Sequence, residues 1–335
     1  MSAPARVAIV GAGQWGEQHI RAFSSRDDSR VVGVFSRDLA RAEQRATRWS
    51  TQPYDDLGRM IDETGPDLIS VCLPNTEHYA PTLELIEHGI PLLVEKPLVF
   101  HLDEADRLLD EARARNLFFA INFNHRYAEP VVRAKHDIDA GKLGNLSFAT
   151  WRFGGEGTSV HHPYANLIET QCHGIDLLEH LLGPIDAVSA EMTRGASTLV
   201  VAAHFACGAV GSLVGSYDSS YAYPRTHHVE INGDAGRLLI DDTTRRYEFS
   251  AAGSEARTVW EAGYFNDRRR SFHETFDAHL DALMPALRAG AAPPVHAESG
   301  RRALEVAYRI IDAFETERRV VVPANCHESV SEFLP

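Results

Sequence analysis

Positive charge is in short supply in this chain of 335 residues, where 33 lysines and arginines face 47 aspartates and glutamates for a formal charge of −14. That balance repels nucleic acid and anionic membrane surfaces, and neither is an expected partner. The short arginine runs, such as Arg268-Arg269-Arg270, are flanked by acids and read as solvated helix faces. Long apolar runs are missing as well, so no membrane span is expected. Only Met1 to Ala5 precede the first strand, too few for a secretory signal, which points to the cytoplasm. Cysteine is scarce: Cys72, Cys172, Cys207 and Cys326 show no CxxC spacing and read as reduced, mostly buried thiols. Cys172 neighbours His173, yet a small core residue is the expected role. No HExxH and no close ligand set occurs, so no metal is expected. Internal repeats and low-complexity segments are absent too.

What the chain does carry is a strand that runs straight into Gly11-Ala12-Gly13-Gln14-Trp15-Gly16. The run Arg6-Val7-Ala8-Ile9-Val10 is β-branched and apolar, and Gln14 to Phe23 has a helical period with Ile20 and Phe23 inward. Glycines between a buried strand and a helix N-terminus suit a dinucleotide. Gly11 permits the turn, Gly13 lets the backbone approach a pyrophosphate, and Gly16 lets helix and strand pack closely.

Over the first third, apolar runs at Val31–Phe35, Leu68–Cys72, Pro91–Val94 and Phe118–Ile121 alternate with amphipathic stretches. This pattern predicts an α/β fold that opens with a doubly wound parallel sheet over residues 1–122, a Rossmann domain. Ligands of such sheets lie at the carboxyl ends of the strands, which singles out Ser36-Arg37, Pro74-Asn75, Glu95-Lys96-Pro97 and Asn122 to Arg126. From 123 to 335 the grammar changes. A helix (Ala128–Ala140), a strand (Leu146–Phe153) and a helix from about Glu169 to Leu182 precede strands near Ala187–Met192, Leu199–Phe205, Ala209–Ser216, His227–Ile231, Arg237–Ile240 and Tyr247–Phe249. Two closing helices, Phe272–Ala289 and Ser299–Glu317, and a loosely held tail from Asn325 complete an expected α+β domain with an open, mostly antiparallel sheet.

Lys96 follows a parallel strand and can reach a ligand lying over the sheet. On the helix of 169–182, His173, Asp176 and His180 share one face, while Ile175, Leu178 and Leu182 face the core. An imidazole beside a carboxylate suits general acid-base chemistry, and a helix-surface ion pair is the bland alternative.

The set Gly11 to Gly16, Leu73-Pro74-Asn75 with His78, Glu95-Lys96-Pro97, Phe123-Asn124-His125-Arg126, and Asp176 four before His180 resembles the glucose-fructose oxidoreductase/inositol dehydrogenase/MocA family. The likeness runs the length of the chain, through Arg288-Ala289-Gly290 and the helix after Glu298. It implies a Rossmann domain, a C-terminal domain that binds substrate and mediates homodimers or homotetramers through its sheet, and NAD(P)-dependent oxidation or reduction of sugar-like small molecules. It also implies that Lys96, Asp176 and His180 are catalytic. Gly11, Gly13, Gln14, Trp15, Gly16, Pro74, Asn75, His78, Glu95, Lys96 and Asn124 would then hold the cofactor. Trp151, Arg152, Tyr164 and His173 would join the catalytic three around a substrate.

Two departures bear on specificity. Ser36 and Arg37, with Arg41 a turn later, stand where an acid that grips the ribose 2′-OH is usual, which favours NADP(H) over NAD(H), although Asp38 lies close by. Asn166-Leu167-Ile168-Glu169-Thr170-Gln171 replaces a glycine run found in many relatives. His161 and His162 add polar groups that suit a polyol pocket or a plain polar loop. Two rival functions remain within the same family likeness: a non-catalytic dinucleotide-binding regulator, and a glycosidase that uses bound NAD transiently.

Overall fold

The computed structural model describes residues 3–157 and 161–324. In chain order, β1 (Ala5–Val10), α1 (Gln14–Ser24), β2 (Ser29–Phe35), α2 (Leu39–Trp49), β3 (Pro53–Tyr54), α3 (Leu57–Thr64), β4 (Leu68–Val71), α4 (Tyr79–Glu87), β5 (Leu92–Val94), α5 (Leu102–Ala114) and β6 (Phe119–Ile121) come first. Then follow α6 (Glu129–Asp139), β7 (Leu146–Gly154), α7 (Cys172–Leu182), β8 (Ile185–Met192), β9 (Thr198–Phe205), β10 (Val210–Ser216), β11 (His227–Gly233), β12 (Gly236–Asp241), β13 (Arg246–Ala251) and β14 (Arg257–Glu261). The last elements are α8 (Asp267–Arg270), α9 (Glu274–Arg288), α10 (Glu298–Thr316) and β15 (Val320–Val321).

The chain divides into two compact units, one of residues 1–128 with 264–304, the other of 129–263 with 305–335. The first therefore takes in more than the 1–122 expected from sequence, because the chain returns to it after β14. Its sheet has the order β3-β2-β1-β4-β5-β6, with every pair parallel. That is the doubly wound order whose ligand crevice opens where the direction of winding reverses, between β1 and β4. The returning helix α9 is bound by hydrophobic burial: Phe276, Leu280, Leu283 and Met284 join Val7, Ile9, Ile20, Phe23 and Val34 in one core. Each such side chain contributes about 2 kcal/mol when withdrawn from water.

The second unit holds a nine-stranded sheet, β14-β13-β12-β11-β7-β10-β9-β8-β15. Only β7 and β10 pair in parallel, so the sheet is mixed and mostly antiparallel. Side chains alternate along β7, and Trp151 goes to the covered face while Arg152 goes to the open one. The tail expected to be loose, and Cys326 within it, lie outside the described residues. Cys72 and Cys172 are buried and Cys207 is exposed.

Candidate active site

Gly11-Ala12-Gly13 is the whole connection between β1 and α1. Gly11 has a φ of +120°, and a Cβ on it would stand 2.3 Å from the Cys72 carbonyl oxygen. At Gly16 a Cβ would stand 1.8 Å from the Gly11 carbonyl oxygen. The protein's own packing demands glycine at both. Gly13 is different, because nothing lies within 4 Å of where its Cβ would be, and its φ of −74° suits any residue. No contact within the protein accounts for a glycine there. As Gly13 caps α1 without a side-chain hydrogen bond, the first-turn N–H groups stay available to an anion such as a pyrophosphate. Gln14 and Trp15 begin that turn, and the Trp15 ring stacks on Phe276 with centroids 5.9 Å apart.

The neighbouring strand ends supply the rest of the crevice rim. Ser36 and Arg37 directly follow β2, as expected; the Ser36 hydroxyl accepts from the Asp38 N–H at 3.2 Å. Arg37 pairs with Glu77 at 2.5 Å, and Arg41 with Asp38 at 3.3 Å. Pro74 and Asn75 open a short 3-10 turn after β4. His78 is buried, with Nδ1 2.7 Å from the Pro97 carbonyl oxygen and Nε2 2.9 Å from that of Leu73. Both its nitrogens are thus engaged by backbone, and it ties the loops after β4 and β5 together.

Glu95 is 6% exposed and sits in a polar cluster. Its Oε1 lies 2.7 Å from His19 Nε2 and accepts from Asn122 Nδ2 at 2.6 Å. Its Oε2 accepts from the backbone N–H of Lys96 at 3.2 Å. Burial opposes charge on both members of the pair, yet Cys72 and Glu95 push His19 up to about 10. Against the same burial, His19, Lys96 and Asn122 hold the Glu95 carboxyl below the usual carboxylate range. Asn124 is buried and donates to Thr275 Oγ1 at 2.7 Å.

In the second unit a single π turn, Asn166–Thr170, leads into α7. His173 and Asp176 are 6% and 4% exposed, and the helix is buried on every side from Cys172 to Leu178. His173 and Asp176 are therefore no solvated surface pair, while His180, on the same face, is half-buried. Asn166 and Gln171 brace this turn: Asn166 donates to the Ser197 carbonyl, and Gln171 accepts from the Trp151 indole at 3.2 Å and fills the space beside Gly215.

Three expected substrate residues sit differently. Trp151 is 1% exposed, its ring packed where a Cβ on Gly174 would fall, so it is core and offers no stacking surface. Arg152 lies on the opposite face of the sheet from Trp151 and hence from α7, where it donates to the Arg225 carbonyl at 2.7 Å and lines a cavity of about 190 Å³ with Ser216 and Tyr223. Tyr164 donates to Glu315 at 2.7 Å, and burial with that carboxylate pushes its phenol up to about 12. Alternation along β7 is what separates the adjacent pair.

Sequence reasoning missed His19, Ser70 and His279. The signal was present: His19 lies three after Gly16 and four before Phe23, and His279 three after Phe276 and four before Leu283, polar residues on inward helix stripes. Among the described residues no group of three or more His, Cys, Asp or Glu is arranged to hold a metal, and no helix is long and apolar enough to cross a membrane.

Comparison with known proteins agrees with this architecture. A family model described as an oxidoreductase family with an NAD-binding Rossmann fold matches residues 5–123, and one for the C-terminal alpha/beta domain of an oxidoreductase family matches 135–322. The D-glucoside 3-dehydrogenase of Escherichia coli is 33% identical over 153 residues, which are 45% of this chain and 44% of that protein. The scyllo-inositol 2-dehydrogenase (NAD(+)) of Bacillus subtilis is 24% identical over 332 residues, 92% of this chain and 94% of its own. A levoglucosan dehydrogenase solved with NADH and levoglucosan superposes with a TM-score of 0.87 at 18% identity, covering 96% of this chain and all of that one.

Proposed function

The chain belongs to the glucose-fructose oxidoreductase/inositol dehydrogenase/MocA family of oxidoreductases, and on that premise we propose that it interconverts the alcohol and carbonyl forms of a sugar, cyclitol or related polyol, with NADP(H) preferred over NAD(H). The cofactor supplies hydride acceptance and donation at its nicotinamide C4. Gly11, Gly13 and Gly16 with the first turn of α1 hold its pyrophosphate, and Ser36 with Arg37 meets a 2′-phosphate. Pro74, Asn75 and Asn124 line the crevice beyond, while the Glu95 carboxylate is engaged within the protein.

In this reading His180 takes the alcohol proton in oxidation and returns it in reduction. Lys96 donates to the substrate oxygen and stabilises the negative charge that develops on it. Asp176 orients the imidazoles and accepts from a substrate hydroxyl. The observation that carries the reading is the burial of His173 and Asp176 on one helix face, since an imidazole and a carboxylate withdrawn from water together are where acid-base and binding sites concentrate. On the open face of the nine-stranded sheet, Phe148, Val200 and Val210 are 39%, 47% and 54% exposed, which supports self-association through that sheet.

The test is a screen of the purified protein against myo-inositol, scyllo-inositol, D-glucosides, levoglucosan and keto-sugars, following reduced nicotinamide with both cofactors. Lys96→Ala and His180→Ala should each lose at least ~100-fold in turnover with cofactor affinity nearly unchanged. Near-normal turnover in both variants refutes the assignment.

A further inference from the structure

The roles above leave unused a group of five buried side chains from five separated segments: His19 on α1, Ser70 on β4, Glu95 after β5, Asn122 after β6 and His279 on α9. None is more than 6% exposed. Proton accounting fixes their orientation. Asn122 spends its Nδ2 on Glu95, so its Oδ1 is the acceptor for His279 Nδ1 at 2.8 Å, and His279 carries its proton on Nδ1. The His279 ring also stacks on Tyr127, with centroids 4.6 Å apart. His19 donates Nε2–H to the same Glu95 oxygen, and its Nδ1 is 2.8 Å from Ser70 Oγ. With Oε1 taken twice, the Glu95 carboxylate has one orientation, and its Oε2 meets the backbone N–H of Lys96.

Stability alone gives no reason for this arrangement, because a buried ion pair replaced by apolar side chains of similar volume is often neutral or better. What a chain of linked hydrogen bonds through Glu95 and Asn122 gives is a fixed position. We propose that His19, Asn122 and His279 are positioning residues for Lys96, acting through the carboxylate of Glu95, so that the returning helix α9 helps set the place of the lysine. The inference rests on the reading of Lys96 as the group that meets the substrate oxygen. A misplacement of about 1 Å at such a group is enough to lower turnover by up to ~100-fold.

The sequence holds only three lysines, Lys96, Lys135 and Lys142, which makes the lysine itself observable. Reductive methylation of the full chain with ¹³C-formaldehyde gives one dimethyl signal for each, and Lys96→Arg identifies the one from Lys96. Glu95→Gln and His279→Leu should each move the Lys96 signal and leave those of Lys135 and Lys142 in place. With myo-inositol or the best substrate of the screen, both variants should lose ~10-fold or more in kcat while KM and NADPH affinity stay within ~3-fold. His279→Asn, which places a donor near the position of Nδ1, should restore both signal and kcat. A His279→Leu variant that no longer binds NADPH leaves the decision to Glu95→Gln, which keeps the shape of the side chain. An unmoved Lys96 signal in Glu95→Gln, a moved signal with full kcat, or equal losses in His279→Asn and His279→Leu overturns the positioning role. Full activity in Lys96→Ala would instead overturn the reading of the lysine on which it rests.

Discussion

Acid should weaken the first unit through His279, and the size of the effect follows from its surroundings. Burial pushes this imidazole down to about 3, with the nearby His19 and Arg126 adding to the shift and Glu95 opposing it. Its Nε2 is buried with no hydrogen-bond partner, so there is nothing to receive a second proton's N–H. In the unfolded chain the same ring takes up a proton near pH 6.5. Stability is therefore fully present above about 6.5 and is lost as pH falls toward 3, at about 1.4 kcal/mol per pH unit. Between about pH 7.5 and 4.5 this amounts to roughly 3 kcal/mol. His19, raised to about 10, is protonated in both states only below about pH 6.5; the stability it contributes is lost as pH rises from about 6.5 toward 10 and is common to the wild type and the variant, so it drops out of their difference. Glu95, held low, matters only in stronger acid. Urea unfolding of the wild type and His279→Asn across this range is the assay. The variant lacks the titrating ring and should lose about 3 kcal/mol less than the wild type on acidification. Equal losses, within about 0.5 kcal/mol, would refute the account of His279 as a neutral buried ring.

Gly13→Val should abolish cofactor binding and leave the melting temperature nearly unchanged, because nothing in the protein lies within 4 Å of where the new Cβ would stand; retained affinity for NADPH would reduce the glycine motif to a plain turn. Arg37→Ala should weaken NADPH and hardly touch NADH. A charge-assisted hydrogen bond to phosphate is worth roughly 1.5–3 kcal/mol, but Arg37 must first leave Glu77, so the expected loss is about one decade in affinity. Ser36→Asp should go further and favour NADH, since a carboxylate repels the 2′-phosphate and accepts from a free 2′-OH. Titration of both cofactors into the three proteins decides it, and a wild type that already prefers NADH removes the NADP reading.

The parts of this protein legible in its sequence are those whose cause is local. The glycine turn needs only a strand, a turn and a helix within some twenty residues, and the ends of β2, β4, β5 and β6 fall within a residue or two of the apolar runs that predict them. The assignment of α9 was not legible, because its apolar stripe fits any core. Only contact with Ile20, Phe23 and Val34 tells that it returns to the first unit, and His279 meets Asn122 across 157 residues of chain. The strands β3 and β15 are two residues each and leave no periodicity to detect, while β14 carries Arg257, Thr258 and Glu261 on an exposed edge and reads as a loop.

Spacing and burial are separate pieces of information, and α7 shows how far each goes. The offsets among His173, Asp176 and His180 follow from 3.6 residues per turn, so their common face was predictable. Whether that face meets water is decided by what packs around the helix, which no local pattern encodes. A lysine in place of Asp176 would have kept the amphipathic period unchanged, yet at 4% exposure it would be a buried cation and cost several kcal/mol. The same reasoning separates Trp151 from Arg152. Neighbours in sequence, they look like one aromatic-cationic contact for a sugar, but a strand sends them to opposite faces. Which face is covered depends on Gly174 of α7, where the absence of a side chain is what admits the indole. Candidate binding residues read from a strand should accordingly be taken two apart, and the covered face settled by the helix that has room for them.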